Sequence, residues 1–385
     1  MRSNTLFLPL PYAINIHMHA AERQSVAWME RFGLFPHDAQ RQRLIGSGVA
    51  RKAAHMLPCA AEQPLRWASD LCLWGAAFDE EVCAEHAFAR HPGELIDAMS
   101  VLLRCIEAPQ VTVAASHRYA KAIWDLRLRL NGFARPAQIE HWVAQVRRWL
   151  MCEVWRVGNL ARKKAPSLND YLVMRMHSGG PAAIVAIISA AGRYEVTALR
   201  HADPRVQILE EMVALLLGID TEFAEAERME RSSGSEDSLV EVMRREYRCD
   251  LPQANHQALL LRDQVMSLFL RLSDQLGQGP SKVLQRYAGD LALALRGSAE
   301  WALGTGQAPA PEAAHWSDVP RDAGRLAPPI PAIAWWWRYD PARRPPFGTP
   351  TASARTTRPP PSQTHTALRL PREPDRVRAP VETAP

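Results

Sequence analysis

Between Ala20 and Gly304 apolar residues recur at helical spacing, and the β-branched alternation that marks strands is nearly absent. That pattern leaves little room for anything but an all-α fold. Helical spacing is read over about Ala20–Gly33, 38–56, 70–85, 93–106, 116–130, 137–161, 167–177, 181–195, 204–230, 237–248, 252–276 and 281–304, which predicts about ten to twelve helices. No fixed period suggests a helical repeat. At 47% apolar and 23% charged residues, the chain describes a globular protein with a substantial core. The best candidate for an uninterrupted apolar run, Ala182–Ala191, is far too short for a membrane span. The opening Leu6-Phe7-Leu8-Pro9-Leu10-Pro11 reads as extended chain, not as a secretory leader. The six cysteines lack metal-ligand spacing and read as reduced core thiols, which with the missing leader gives a cytoplasmic expectation.

Net charge is +5, but ten arginines and only four acids lie from Ala323 onward, so the rest of the chain is close to neutral. This distribution argues against a nucleic-acid-binding protein. About a fifth of that last segment is proline, so the expected organisation is a helical domain over 1–322 and a disordered Pro/Arg-rich tail over 323–385. Within the tail Trp335, Trp336 and Trp337 stand out as a cluster able to dock on the body or on a partner.

Three places in the helical body carry chemistry. The first, Asp70 to Glu85, begins apolar and aromatic and turns acidic at Asp79, Glu80, Glu81 and Glu85. At about 100° per residue, Trp74, Phe78, Glu81 and Glu85 fall within about 40° of one another, so carboxylates continue an aromatic stripe. Desolvated carboxylates need a partner, and Mg²⁺ is one; a charged helix end reaching solvent is the alternative. The second place is Tyr171 to Pro181, where Arg175 sits among apolar neighbours before a Gly179-Gly180-Pro181 break. The third is the acidic run from Asp220 to Glu230, in which Glu222, Ala226 and Glu230 share one helical face.

In this order, the segments resemble bacterial class I terpene synthases over roughly residues 6–322. The similarity starts at Leu8-Pro9 and Asn15-Ile16-His17 and runs through Trp28 and Gly33-Leu34. Counted from Asp70, Asp79-Glu80 stand where the family carries its paired metal-binding aspartates. Arg175 corresponds to the arginine that senses the substrate diphosphate. Ser238-Leu239-Val240 resembles an Asn-x-Val that lies eight residues after the last ligand of the second metal motif, which places that ligand at Glu230 and its partner at Glu222. Trp316 to Arg321 resembles the segment that closes over the diphosphate.

The resemblance implies ionisation and cyclisation of a linear prenyl diphosphate, of the sesquiterpene or monoterpene type, with three Mg²⁺ ions, by a monomer or homodimer. Asp79, Glu80, Glu222 and Glu230 would hold metal, Arg175 and Arg321 would grip diphosphate, and Trp74, Phe78 and Trp316 would wall the cavity. The chain also departs from the pattern. Its first motif reads Asp-Glu-Glu, its second has Ala226 where the family has serine, and Arg321 precedes Asp322 where the family has tyrosine. A second register, Ile219, Phe223 and Glu227, keeps a single ligand. These departures also allow a non-catalytic binding protein that retains the fold. The helical wheel adds a conflict, because Asp79 lies about 140° from the Trp74 stripe.

Overall fold

The computed structural model describes residues 5–83, 92–110, 117–229, 238–304 and 316–343. Among the described residues sixteen α-helices follow one another as α1 (Met18–Phe32), α2 (Asp38–Gly46), α3 (Val49–Met56), α4 (Glu62–Phe78), α5 (Pro92–Glu107), α6 (Arg118–Leu130), α7 (Pro136–Ala161) and α8 (Leu168–Arg175). They continue as α9 (Pro181–Val185), α10 (Ile188–Ala191), α11 (Thr197–Ala202), α12 (Pro204–Met229), α13 (Leu239–Tyr247), α14 (Leu251–Gly277), α15 (Lys282–Gly304) and α16 (Pro331–Ala334). A π-helical turn, Asp79–Cys83, extends α4, and a 3₁₀ turn, Trp335–Tyr339, extends α16. The two strands, β1 (Leu6–Phe7) and β2 (Trp316–Ser317), form one short parallel pair. No helix among the described residues is long and apolar enough to cross a membrane.

Local chemistry starts some of these helices. Ser167 caps α8 by accepting from the Asp170 amide at 3.1 Å, and Asp250 caps α14 through the Gln253 amide at 2.8 Å. The run after α8 turns sharply because Gly179 and Gly180 take left-handed φ values of 71° and 75°, and Pro181 then opens α9. Helix α12 is the hub. It packs on α15, α14, α9 and α8, and Val206 to Leu217 is almost entirely buried along it.

Residues 5–7 and 316–321 are tied together over α14. Buried Arg262 forms a bidentate pair with Asp220 at 2.9 Å through both nitrogens and reaches the Phe7 carbonyl. Next to it Asp263 accepts from the Arg321 amide and guanidinium, each at 3.0 Å.

The domain boundary expected at Asp322 is corrected. The compact unit runs to Arg343, because Trp336 and Trp337 are completely buried against it. The Trp336 indole donates to Glu211 at 2.9 Å, Asn169 accepts from the Ala332 amide at 2.8 Å, and Arg271 pairs with buried Asp340 at 2.7 Å. Proline content pointed to disorder here, but large aromatic surfaces buried between helices outweigh the missing backbone hydrogen bonds. The remaining part of the expected tail, 344–385, lies outside the described residues.

Candidate active site

A cavity of about 400 Å³ opens between α3, α4, α7, the α8–α9 turn, α12 and α15. Two helices line it with parallel patterns. From α4 and its π turn come Leu71, Cys72, Gly75, Ala76 and Asp79; from α12 come Leu217, Gly218, Thr221 and Glu225. Each pattern begins at a leucine, follows one helical face, and ends eight residues later in a carboxylate. Small residues in the middle of each face leave the space open, while Trp149 and Trp301 supply aromatic wall and Lys52 adds a cation.

Trp149 is held by what its neighbours lack. A Cβ on Gly75 would stand 3.0 Å from the indole, and one on Gly180 would stand 2.8 Å from it. Behind it Trp74 meets the ring edge-on, with centroids 5.6 Å apart. The Trp74–Phe78 stripe is present, stacked at 4.7 Å, but it points away from the cavity toward α6. Its indole donates to the Tyr119 carbonyl at 3.0 Å, and Tyr119 in turn donates to Glu81 at 2.7 Å. Trp74 and Phe78 therefore form the layer behind the wall. The helical-wheel conflict resolves in the same way: α4 has an aromatic face packed on α6 and, about 140° around, an open face carrying Asp79.

The remaining expected residues separate. Asp79 lines the cavity and is exposed there, while Glu80 turns outward to pair with Arg43, its Oε1 lying 2.8 Å from the Arg43 Nε. Arg175 lines the cavity and lies beside Glu222, with Nε 2.9 Å from a carboxylate oxygen. Glu222 does not present a spare oxygen as expected: it also accepts from the Tyr171 hydroxyl at 2.6 Å and the Leu239 amide at 2.9 Å. Ile219 and Phe223 of the second register are buried in the core, and Ala226 is exposed. Glu230 and Glu85 lie outside the described residues. Arg321 and Trp316 belong to the terminal clasp. Arg321 is engaged by Asp263 and the Thr5 carbonyl, and Trp316 pairs with Leu6 beneath the Arg296 guanidinium, 4.8 Å away.

Sequence reasoning missed Glu225, Thr221, Gly218, Trp149 and Glu153. The signal for the first three was available, since Gly218, Thr221 and Glu225 share a helical face and Gly218 is the one glycine in a bulky apolar run. Glu153 is buried on α7, accepts from the Gly179 amide at 3.0 Å and from Arg156 at 3.0 Å, and so fixes the α8–α9 turn.

Charge in the cavity is concentrated around one point. Protein packed around Asp79 pushes its carboxyl up to about 6, and Glu153 and Glu225 push the same way against Arg156 and Arg175. Burial disfavours the Arg175 charge, yet Glu222, Tyr171, Glu225 and Glu153 outweigh it and hold the guanidinium above its ordinary range. The Tyr171 phenol is driven well above its ordinary range by burial and by Glu222, and remains a donor. Among the described residues no three His, Cys, Asp or Glu side chains form a ready metal cage. Asp79, Glu225, whose charge disfavours that of Asp79, and the Thr221 hydroxyl, whose proton is tied to the Leu217 carbonyl at 2.8 Å, nevertheless make a hard-oxygen set suited to a divalent cation.

A helical bundle enclosing an aromatic cavity with carboxylates and an arginine has the construction of a class I terpene cyclase. The family model for terpene synthase family 2, C-terminal metal binding, matches residues 70–267, just over half of the sequence. The chain belongs to that family. It is 28% identical over 347 residues to (+)-(1(10)E,4E,6S,7R)-germacradien-6-ol synthase of Streptomyces pratensis, a match covering 86% of this chain and 95% of the relative. It is 29% identical over 344 residues to spiroviolene synthase of Streptomyces violens, with the same coverage. The crystal structure of SVS_A2, a protein from ancestral sequence reconstruction, superposes with a TM-score of 0.79 at 29% identity, covering 87% of this chain and 98% of that one.

Proposed function

We propose that this cyclase ionises a linear prenyl diphosphate in the α4–α12 cavity and cyclises the resulting carbocation, with Mg²⁺ as cofactor. The reading is carried by the convergence of Asp79, Glu225 and Arg175 on one cavity whose walls also include Leu71, Ile184, Leu217, Trp149 and Trp301. Asp79 and Glu225, with Thr221, would hold Mg²⁺. The ion supplies Lewis-acid neutralisation and a template for the leaving diphosphate. Few protein ligands suffice, because Mg²⁺ is commonly bound by one or two carboxylates and completed by substrate phosphate and water. Arg175 binds diphosphate oxygens through N–H groups left over from its single hydrogen bond, to the Gly218 carbonyl at 2.6 Å. Leu71, Ile184 and Leu217 keep water from the hydrocarbon chain, and the Trp149 ring stabilises a passing cation.

The test is thermal. Mg²⁺ with inorganic diphosphate should raise the melting temperature, by the equivalent of about 2.7 kcal/mol at a ligand concentration a hundred times Kd, while either alone does much less. An unchanged melt with both present would remove the reading.

A further inference from the structure

Arg175 does not project freely from α8; it lies against the face of α12, and its position is set there by two residues one turn apart. Gly218 is the first. A Cβ at this position would stand 2.8 Å from the Arg175 Nε and 3.2 Å from both its Cγ and its carbonyl oxygen, so the guanidinium occupies the space where any other residue would place a side chain. The Gly218 carbonyl accepts from Nη2 at 2.6 Å. Glu222, four residues on and on the same face, is the second. Its carboxylate lies 2.9 Å from Nε and is itself fixed by the Tyr171 hydroxyl at 2.6 Å and by the Leu239 amide at 2.9 Å, at the first turn of α13. One edge of the guanidinium is therefore held by α12, and the residue lines the cavity.

We propose that Gly218 and Glu222 form a seat that positions Arg175 for the diphosphate, which makes Glu222 a positioning residue and not a metal ligand. This inference rests on the assignment of Arg175 to diphosphate binding. It accounts for a glycine in the interior of a buried helix, where alanine would be the better helix former. It also accounts for the glutamate at a position where the resemblance implies a metal ligand: a carboxylate already engaged by an arginine, a phenol and an amide has no reason to leave them for a hydrated cation.

The decisive variant is Gly218→Ala, which adds one methyl group, changes no charge and favours the helix. Affinity for inorganic diphosphate in saturating Mg²⁺, measured by calorimetry, should fall about tenfold or more, the worth of a disturbed charge-assisted hydrogen bond, and KM for a prenyl diphosphate should rise with it. The melting temperature without ligand should stay at or near that of the unaltered protein. In an Arg175→Lys background the same Gly218→Ala change should have no further effect on affinity, because the planar side chain it displaces is gone. Glu222→Gln should weaken diphosphate binding with Arg175 present, have no effect in the Arg175→Lys background, and leave the Mg²⁺ concentration for half-maximal stabilisation unchanged. It also serves as the second probe if Gly218→Ala does not fold. Undiminished diphosphate affinity in both single variants, equal losses in both backgrounds, or a Glu222→Gln protein that needs more Mg²⁺ would each overturn the seat. If Arg175→Lys itself leaves diphosphate affinity unchanged, the assignment of Arg175 fails instead.

Discussion

Ending the chain at Asp322 should destroy the cooperative fold, although the segment it removes is rich in proline. The deletion takes away Trp336 and Trp337, each completely buried, together with Asp340, whose side chain is buried against Arg271. Removing one fully buried tryptophan side chain costs about 3–5 kcal/mol, so two would cost about 6–10 kcal/mol if they acted independently. They do not: their rings stack at 6.4 Å and 15°, so the joint loss is smaller than the sum. Even the lower end is comparable with the roughly 5–15 kcal/mol that holds a whole domain folded. The indole bond to Glu211 on α12 and the 2.6 Å bond from Trp337 to the Gly324 carbonyl are lost as well. Circular dichroism melts of three proteins test this: the full chain, a chain ending at Arg343, and one ending at Asp322. The first two should melt alike, and the third should lose its cooperative transition or precipitate. A chain ending at Asp322 that melts within a few degrees of the full chain would show that the tryptophans contribute no stability.

Other expectations can be checked with the same preparations. Asp79→Asn and Glu225→Gln should each raise the Mg²⁺ concentration needed for stabilisation by diphosphate by about tenfold, whereas Glu80→Gln, whose partner is Arg43 outside the cavity, should not; a magnesium titration of the melting temperature separates them. Gly180→Ala forces alanine into a left-handed conformation and a methyl group to within 2.8 Å of the Trp149 ring, so it should destabilise the protein by about 1–3 kcal/mol and change the product profile seen by gas chromatography. His141 and His177 are both held down to about 4, by burial first and by Arg200 and Arg148 respectively. Their neutral forms are favoured in the folded state, so the unfolded chain binds more protons between about pH 4 and 6.5, and they make stability fall as pH is lowered through that window. Urea titrations of His141→Gln and His177→Gln against the unaltered protein should show a shallower acid loss in each variant.

The fold was legible because helical periodicity marks most of its elements. Ser167, Asp250 and the Gly179-Gly180-Pro181 break lie where helices start and turn. The site was legible only in part. The family resemblance pointed to Asp79 and Arg175, both on the cavity, but a single helical wheel could not say which face of α4 looks inward. Small residues on one side and large aromatics on the other decided it, and the aromatic side went to the core. On α12 the family register drew attention to Glu222, while the cavity-facing carboxylate is Glu225, three residues on. The difference lies in a tertiary partner: Tyr171 and Arg175 reach Glu222 from another helix, and no pattern within α12 records that. The tryptophan cluster was ambiguous for a related reason, since composition describes a segment's own tendency to order and not the groove waiting for it.

On the proposed function this cavity ionises a prenyl diphosphate. Incubation of the purified chain with C10, C15 and C20 linear prenyl diphosphates, with and without Mg²⁺, followed by gas chromatography of the extract and assay of free diphosphate, tests it directly. Cyclic hydrocarbon or alcohol and stoichiometric diphosphate are expected from at least one substrate, only when Mg²⁺ is present, and neither from Asp79→Asn or Arg175→Ala. Absence of product and of released diphosphate with all three substrates in Mg²⁺, or unchanged turnover in both variants, would contradict it.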